Sequence, residues 1–197
     1  MFIKICGITS VTDARMVAAA GANAIGLNFY PSSPRSIRIE MAIEIVQSLP
    51  PFVDPIGLFV DSSTAEIRST AQLLGLRTLQ LHGQNTPQQI AELREFSIMP
   101  AFPIVDESSI SSILSFVEEC RKLGRMPSAI LIDGYSAGQH GGTGQVAPWH
   151  LARSVVDQCP LPVALAGGLT AKNVADAVRA VRPWGVDVAS SVEVAPG

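Results

Sequence analysis

The chain has 197 residues, 47% of them hydrophobic, and a formal net charge of −3. This length predicts a single domain spanning residues 1–197. The weak negative charge and the lack of a Lys/Arg cluster argue against nucleic acid or a membrane surface as a partner. The first residues do not have the layout of a signal peptide, and no apolar run approaches the roughly 18 residues of a membrane helix.

Eight short apolar runs predict eight strands. They are Phe2–Ile5, Ala24–Phe29, Pro55–Val60, Thr78–Leu81, Met99–Val105, Ser128–Ile132, Pro162–Leu165 and Gly185–Val188. Because these runs are almost continuously hydrophobic, they are typical of parallel strands that are covered on both faces.

Seven amphipathic segments between the runs predict helices. The third covers Ala65–Leu74, and Ser63 with Glu66 predicts a capping box at its start. Before the fourth helix, Thr86, Pro87 and Gln89 predict an N-cap, a proline at the first helical position and a reciprocal cap.

The later helices show the same periodic burial pattern. In the fifth helix one apolar stripe is expected, ending at Gly124; it consists of Ile110, Ile113, Leu114, Val117 and Cys120. The seventh helix is expected to begin near Thr170 and to bury Val174, Val178 and Val181.

Strand and helix alternate along the whole chain, which predicts a parallel sheet with right-handed crossovers. Eight such units close into a (β/α)8 TIM barrel. The rival is a doubly wound open sheet, but no GxGxxG motif follows the first strand. Pro196 and Gly197 follow the last strand almost directly, so no eighth helix is expected. Either the chain is cut short or another surface, such as a partner subunit, covers that strand; uncovered, the apolar patch would favour association.

In such a barrel the active site lies at the carboxyl ends of the strands. Strand seven ends at Gly167 and Gly168, and strand eight is followed by Ser190 and Ser191. Backbone N–H groups of these two loops can face a phosphate, although a tight turn before a helix explains the glycines equally well.

Three more strand ends carry side chains capable of proton transfer. Cys6 is a candidate base if its pKa is lowered, or else an inert buried cysteine. Asp133 is a candidate acid if burial raises its pKa, or else a turn residue. His82 is a ligand, a proton carrier or a satisfied strand-end residue.

The spacing of histidines and carboxylates does not fit a metal site, so none is expected. His140 and His150 are expected at the surface. Cys6, Cys120 and Cys159 show neither a zinc pattern nor a disulfide framework, which favours a reducing cytoplasm.

Strand parity gives one further hypothesis. If Cys6 faces the barrel interior, Lys4 faces it as well, and a buried ammonium needs a partner. Strands one and eight are neighbours in a closed barrel, so Asp187 is the expected partner.

At these same positions the sequence resembles the phosphoribosylanthranilate isomerase family. The matching stretches are Lys4-Ile-Cys-Gly-Ile-Thr9, Asn28-Phe-Tyr-Pro-Ser-Ser-Pro-Arg-Ser36, Leu79-Gln-Leu-His-Gly83, Gly141-Gly-Thr-Gly144, Leu165-Ala-Gly-Gly-Leu169 and Gly185-Val-Asp-Val188. The resemblance implies an aldose–ketose isomerase of tryptophan biosynthesis that carries out an Amadori rearrangement without a cofactor.

The resemblance also implies roles. Cys6 is the implied base, Asp133 the implied acid, and Arg35 the residue that steadies the anthranilate side. The other implied substrate-binding residues are His82, Asp187, Gly142 and Gly144, the last two in a loop over the substrate. The phosphate is expected at Gly167, Gly168, Ser190 and Ser191. A small phosphorylated substrate is the expected partner, and the protein is expected to be a monomer or homodimer.

Ser191 departs from the family pattern, which has glycine there. If the position needs a positive φ, serine costs on the order of 1 kcal/mol or more and weakens phosphate binding. Together with the missing helix, this keeps open an alternative: a weakly active or non-catalytic barrel that binds sugar phosphates. Ribulose-phosphate epimerases and indoleglycerol-phosphate synthases fit less well, because the metal-ligand histidines of the first and the catalytic lysines and glutamates of the second are missing.

Overall fold

A computed structural model describes residues 1–134 and 148–197. Eight parallel strands close into a barrel in chain order, with β1 beside β8. The strands are β1 Phe2–Cys6, β2 Ala24–Asn28, β3 Asp54–Val60, β4 Thr78–His82, β5 Ser97–Ile104, β6 Ile130–Gly134, β7 Val163–Leu165 and β8 Gly185–Val188. The described helices are α1 Val11–Ala19, α2 Ile39–Ser48, α3 Thr64–Leu74, α4 Pro87–Glu92, α5 Glu107–Lys122, α6 Trp149–Gln158 and α7 Val174–Val181. The predicted TIM barrel is confirmed.

Each predicted strand overlaps the observed one, and the bounds differ by at most two residues at either end. β1 includes Cys6, β4 includes His82, and β6 begins two residues later than expected and includes Asp133. The pairing of Pro103 with Asp133 continues the β5–β6 ladder through this residue. The candidate side chains are therefore fixed by sheet hydrogen bonding and do not lie in the loops that follow.

Local capping signals mostly act as predicted. Ser63 Oγ accepts from the Glu66 N–H, and a Glu66 oxygen accepts from the Ser63 N–H, so the capping box of α3 is present. Thr86 caps α4. The predicted reciprocal cap from Gln89 was wrong. The Gln89 Nε2 donates instead to the carbonyl of Ser62, 3.0 Å away in the loop after β3.

The burial pattern of α5 and α7 differs in part from the prediction. In α5 the stripe holds, with Ile113, Val117 and Cys120 fully buried. Helix α7 begins at Val174, four residues later than expected, since residues 171–173 form a turn. Its most buried residues are Ala177 and Val181, whereas Val174 and Val178 only pack partly against the core.

The main core lies between the strands and the surrounding helices, in two clusters. A third cluster, separate from both, consists of Met99, Ala101, Ala129, Leu131, Ala164 and Ala166 of strands β5–β7 and their ends. Stacked Phe2 and Trp184 rings, 4.5 Å apart, close the seam between β1 and β8 at one end.

Residues 189–197, after β8, contain no helix, as expected. A groove runs between these residues and α1, lined by apolar side chains of both. Met16 is 61% exposed and Val194 is fully exposed beside it, so the predicted apolar patch is present. None of the described helices is long and apolar enough to cross a membrane.

Candidate active site

One cavity at the carboxyl ends of the strands brings together most of the predicted site residues. It is bordered by Cys6, Arg35, His82, Asp133, Gly167, Gly168, Asp187 and Ser190. Ser191 does not border it. Gly142, Gly144 and His140 lie outside the described residues.

Lys4 and Asp187 form an ion pair beside this cavity. Lys4 Nζ lies 2.9 Å from both carboxylate oxygens of Asp187, so the hypothesis from strand parity is confirmed. The two residues are direct neighbours in the β1–β8 register. Burial is the largest single influence and lowers the pKa of the ammonium, but Asp187 and Cys6 together outweigh it, so the pKa of Lys4 is raised. Lys4 is therefore charged at neutral pH.

The Cys6 thiol faces opposing influences. Burial is the largest and raises the pKa of the thiol, while the positive charge of Lys4 lowers it. The net direction is upward, so the lowered pKa that a base requires is not present. Cys6 packs against Gly26 of β2, where an added β-carbon would lie 2.6 Å from the sulfur.

The Asp133 carboxyl is almost fully buried, with 8% of its surface exposed. Burial, followed by the negative charge of Asp187, raises the pKa of Asp133 to about 7. The Gly134 N–H and the charge of Lys4 act in the opposite direction. Asp133 thus still holds a proton in a substantial fraction of molecules at pH 7, which is the property expected of an acid at this position.

The loop after β7 packs closely against Asp133. Gly167 has φ of 87°, and an added β-carbon would lie 2.2 Å from the Gly134 nitrogen and 2.9 Å from Asp133 Oδ1. Gly168 also has positive φ, 62°. Asn173 fixes the loop, because its Nδ2 donates to the Gly168 carbonyl and its Oδ1 accepts from the Thr170 N–H. Glycine is required here for the close approach, so the tight-turn explanation of the two glycines also has structural support.

Ser191 joins the loops after β7 and β8. Its Oγ donates to the Leu169 carbonyl at 2.5 Å. Among the described residues other than glycine, only Phe52, Asp61 and Arg182 have positive φ. Ser191 therefore does not have the positive φ that would strain a serine at this position.

Arg35 is held by an acidic residue that the sequence did not single out. Its guanidinium forms a bidentate ion pair with Glu193, with Nε 3.0 and 2.9 Å from the two carboxylate oxygens. The pKa of Glu193 is lowered by this contact. Gly7, with φ of 85°, leaves room for the arginine stem, since a β-carbon would lie 2.4 Å from Arg35 Cδ.

Gln80 is a second residue that sequence reasoning missed. It borders the cavity, is 2% exposed, and its Oε1 accepts no hydrogen bond within the described part of the chain. Leu79 and Leu81, its neighbours in β4, belong to the outer core. The alternation of β4 was therefore the available signal, because it directs Gln80 to the same side as His82.

Two histidines and a possible metal site remain to be described. His82 borders the cavity and also a second one of about 450 Å³ between the loops after β3 and β4. His150 is exposed on α6, as expected. Across residues 1–134 and 148–197, no three His, Cys, Asp or Glu side chains are grouped so as to hold a metal.

Comparison with known proteins gives a consistent result. A family model described as N-(5′-phosphoribosyl)anthranilate (PRA) isomerase matches residues 3–197. A relative from Pelobacter propionicus, named N-(5′-phosphoribosyl)anthranilate isomerase, is 43% identical over 99% of this chain and 88% of its own length.

Solved structures agree. The phosphoribosyl anthranilate isomerase from Thermotoga maritima has a TM-score of 0.89 at 33% identity, covering 100% of this chain and 91% of that one. A phosphoribosyl anthranilate isomerase in complex with reduced 1-(o-carboxyphenylamino)-1-deoxyribulose 5-phosphate has a TM-score of 0.85 at the same identity and coverage. The chain belongs to the N-(5′-phosphoribosyl)anthranilate isomerase family.

Proposed function

We propose that the protein catalyses the Amadori rearrangement of N-(5′-phosphoribosyl)anthranilate to 1-(2-carboxyphenylamino)-1-deoxyribulose 5-phosphate, a step of tryptophan biosynthesis. The observation that carries the proposal is that the Cys6 thiol and the Asp133 carboxyl border one cavity together with the glycine loop after β7. The related structure that holds a reduced form of this product supports the choice of substrate.

In the proposed reaction Asp133 is the acid and Cys6 is the base. Asp133 gives its proton to the ribose ring oxygen, and the bond from that oxygen to C1′ breaks, which leaves a protonated imine. Cys6, as thiolate, takes the proton from C2′, and the resulting enolamine tautomerises to the ketone. One proton is given and one is taken, so the shift needs no cofactor, and each positioned group supplies roughly 10²–10⁴-fold in rate. A pKa of about 7 suits Asp133 to this role.

The substrate's two anionic ends have different sites in this proposal. The phosphate binds at the loops after β7 and β8, where Gly167, Gly168 and Ser190 border the cavity and glycine lets backbone N–H groups approach an anion. The anthranilate carboxylate binds Arg35, whose planar guanidinium suits a carboxylate.

Other residues complete the substrate site. Gln80, His82 and Asp187 contact the sugar, and Gly142 and Gly144 also bind the substrate. Ser191 acts on the phosphate indirectly, through its bond to the Leu169 carbonyl.

We place the protein in the cytoplasm, as a monomer or homodimer. The free thiols of Cys6, Cys120 and Cys159 support a reducing compartment. The exposed apolar groove beside α1 supports association between copies, which light scattering over a range of concentrations measures.

The direct test is a fluorescence time course of phosphoribosylanthranilate with the purified protein. We expect substrate to disappear with the wild type and not with Cys6→Ala, while both proteins bind a reduced product analogue. The wild type should also rescue a tryptophan auxotroph that lacks this isomerase. Binding without any turnover would favour the alternative of a non-catalytic sugar-phosphate-binding barrel, and rescue by Cys6→Ala would remove Cys6 from its role.

A further inference from the structure

Lys4 is the most deeply buried charged side chain in the part of the chain that the structure describes. Only 1% of its surface is exposed. A buried ammonium loses its hydration and requires an anionic partner, which Asp187 supplies. Such a pair gives a fold little net stability over apolar residues of the same size, so its presence beside the cavity suggests a chemical role.

The same ammonium also adjoins Cys6. A β-carbon added to Gly26 would lie 2.6 Å from Cys6 Sγ and 3.1 Å from Lys4 Nζ, so the two atoms border one small space. Glycine at this position of β2 leaves that space open. An ammonium has three N–H donors, and Asp187 engages two of them through its two oxygens. One donor is left for the sulfur.

We propose that Lys4 is a positioning residue for Cys6: anchored by Asp187, its ammonium reaches the sulfur across Gly26 and stabilises the thiolate. This inference rests on the proposed function in assigning Cys6 the role of base, and it names the group that makes the base available. Asp187 thereby serves as the anchor that keeps Lys4 charged and aimed.

The electrostatics of the site support this arrangement. Apart from Lys4, the ionisable groups around Cys6 are Asp187 of β8, Arg35 of the β2–α2 loop, Asp133 of β6 and His82 of β4. Lys4 is the strongest of the influences that lower the pKa of the thiol, and Asp187 raises that pKa more weakly. Removal of the cation is therefore expected to move the titration of Cys6 upward.

The test is the pH dependence of Cys6 alkylation by iodoacetamide, read by peptide mass spectrometry without substrate. In Lys4→Met we expect the midpoint to rise by about one to three pH units, the usual effect of a charge at this range. In the double variant Lys4→Met/Asp187→Leu the rise should be smaller, because the carboxylate that opposes Lys4 is gone too. Cys159, at the end of α6, is the reference in each sample, and its midpoint should stay constant.

A second variant tests the same contact while the charges of Lys4 and Asp187 both stay in place. Gly26→Ala puts a methyl group between the ammonium and the sulfur, and the Cys6 midpoint should again rise. If Lys4→Met does not fold, the double variant and Gly26→Ala carry the test. An unchanged Cys6 midpoint in the variants that retain the wild-type circular dichroism spectrum would overturn the inference.

The outcome is separable from that of the proposed function, since alkylation requires no substrate. A protein with the expected midpoint shifts but no isomerase activity would refute the function and leave the Lys4–Cys6 coupling standing. Isomerase activity together with unshifted midpoints would do the reverse.

Discussion

At the scale of single residues, the site places its two proton-transfer groups in different electrostatic surroundings. Cys6 lies next to the cationic end of the Lys4–Asp187 pair, and Asp133 is affected more by the anionic end. The thiol is thereby assisted toward its charged form and the carboxyl toward its neutral form. One ion pair thus favours the protonation states that a base and an acid need. At Cys6 it acts against the effect of burial, and at Asp133 it acts in the same direction as burial.

The role of Asp133 predicts the effect of an isosteric change. Asp133→Asn keeps the shape of the side chain but removes the proton that is donated to the ring oxygen. We expect turnover to fall by about 10²–10⁴-fold while a product analogue still binds within a few-fold of wild type. Steady-state kinetics and a binding titration measure the two effects, and wild-type turnover in this variant would exclude Asp133 as the acid.

The hydroxyl of Ser191 predicts a milder effect on substrate binding. Ser191→Ala removes the bond to the Leu169 carbonyl that joins the loops after β7 and β8. A hydrogen bond of this kind contributes about 0.5–1 kcal/mol, which corresponds to a KM about two- to fivefold higher with kcat unchanged. Ser191→Thr retains the hydroxyl and is the matched control. Equal KM values for alanine and threonine would show that the bond does not order the phosphate loops.

At the scale of secondary-structure elements, contacts within one helical turn could be predicted from the sequence, whereas the bonds that helix side chains make to neighbouring units could not. The capping box of α3 follows from Ser63 and Glu66, three residues apart, because both partners lie in one turn. Gln89 has the same spacing from Thr86 but bonds to Ser62 of another unit, which no local pattern reveals. Helix α7 begins late for a different, local reason, since the Asn173 side chain engages Thr170 and Gly168 and holds the preceding residues in a turn.

The capping box gives a prediction about stability. Ser63→Ala removes the acceptor for the Glu66 N–H at the start of α3. The free energy of unfolding should fall by about 0.5–2 kcal/mol, the usual cost of losing an N-cap side chain. Urea unfolding measures it, with Ser62→Ala as control, because the Ser62 hydroxyl makes only a 3.4 Å contact to Val60. Equal loss in both variants would contradict the capping assignment.

At the scale of the whole molecule, barrel closure decides which distant residues meet. Lys4 and Asp187 are 183 residues apart, yet strand parity and closure were enough to predict their pairing. Arg35 and Glu193 are 158 residues apart and lie in loops, where no periodic rule fixes direction, so their ion pair appears only in the structure. Strand periodicity therefore predicted the ion pair built on strands, and not the one built between loops.

The buried carboxyl of Asp133 makes the stability of the barrel depend on pH. Its pKa is about 7 in the folded protein, against an ordinary value of 3.8 that applies when the chain unfolds. Below about pH 4 the carboxyl is protonated in both states and has no effect. Between pH 4 and 7 only the unfolded state loses the proton, so the free energy of unfolding decreases as pH rises; above pH 7 the loss is complete.

Three pKa units correspond to about 4 kcal/mol, so Asp133→Asn should be more stable than wild type by up to that amount at pH 8 and nearly equal at pH 4. Asparagine has no charge to bury, and its stability should lack this component of the pH dependence. Urea unfolding of both proteins at pH 4, 6 and 8 measures the difference. The prediction fails if the difference in free energy of unfolding between the two proteins is constant across this range, or if the wild type is the more stable at pH 8. Either result would mean that Asp133 ionises in the folded barrel as easily as in the unfolded chain.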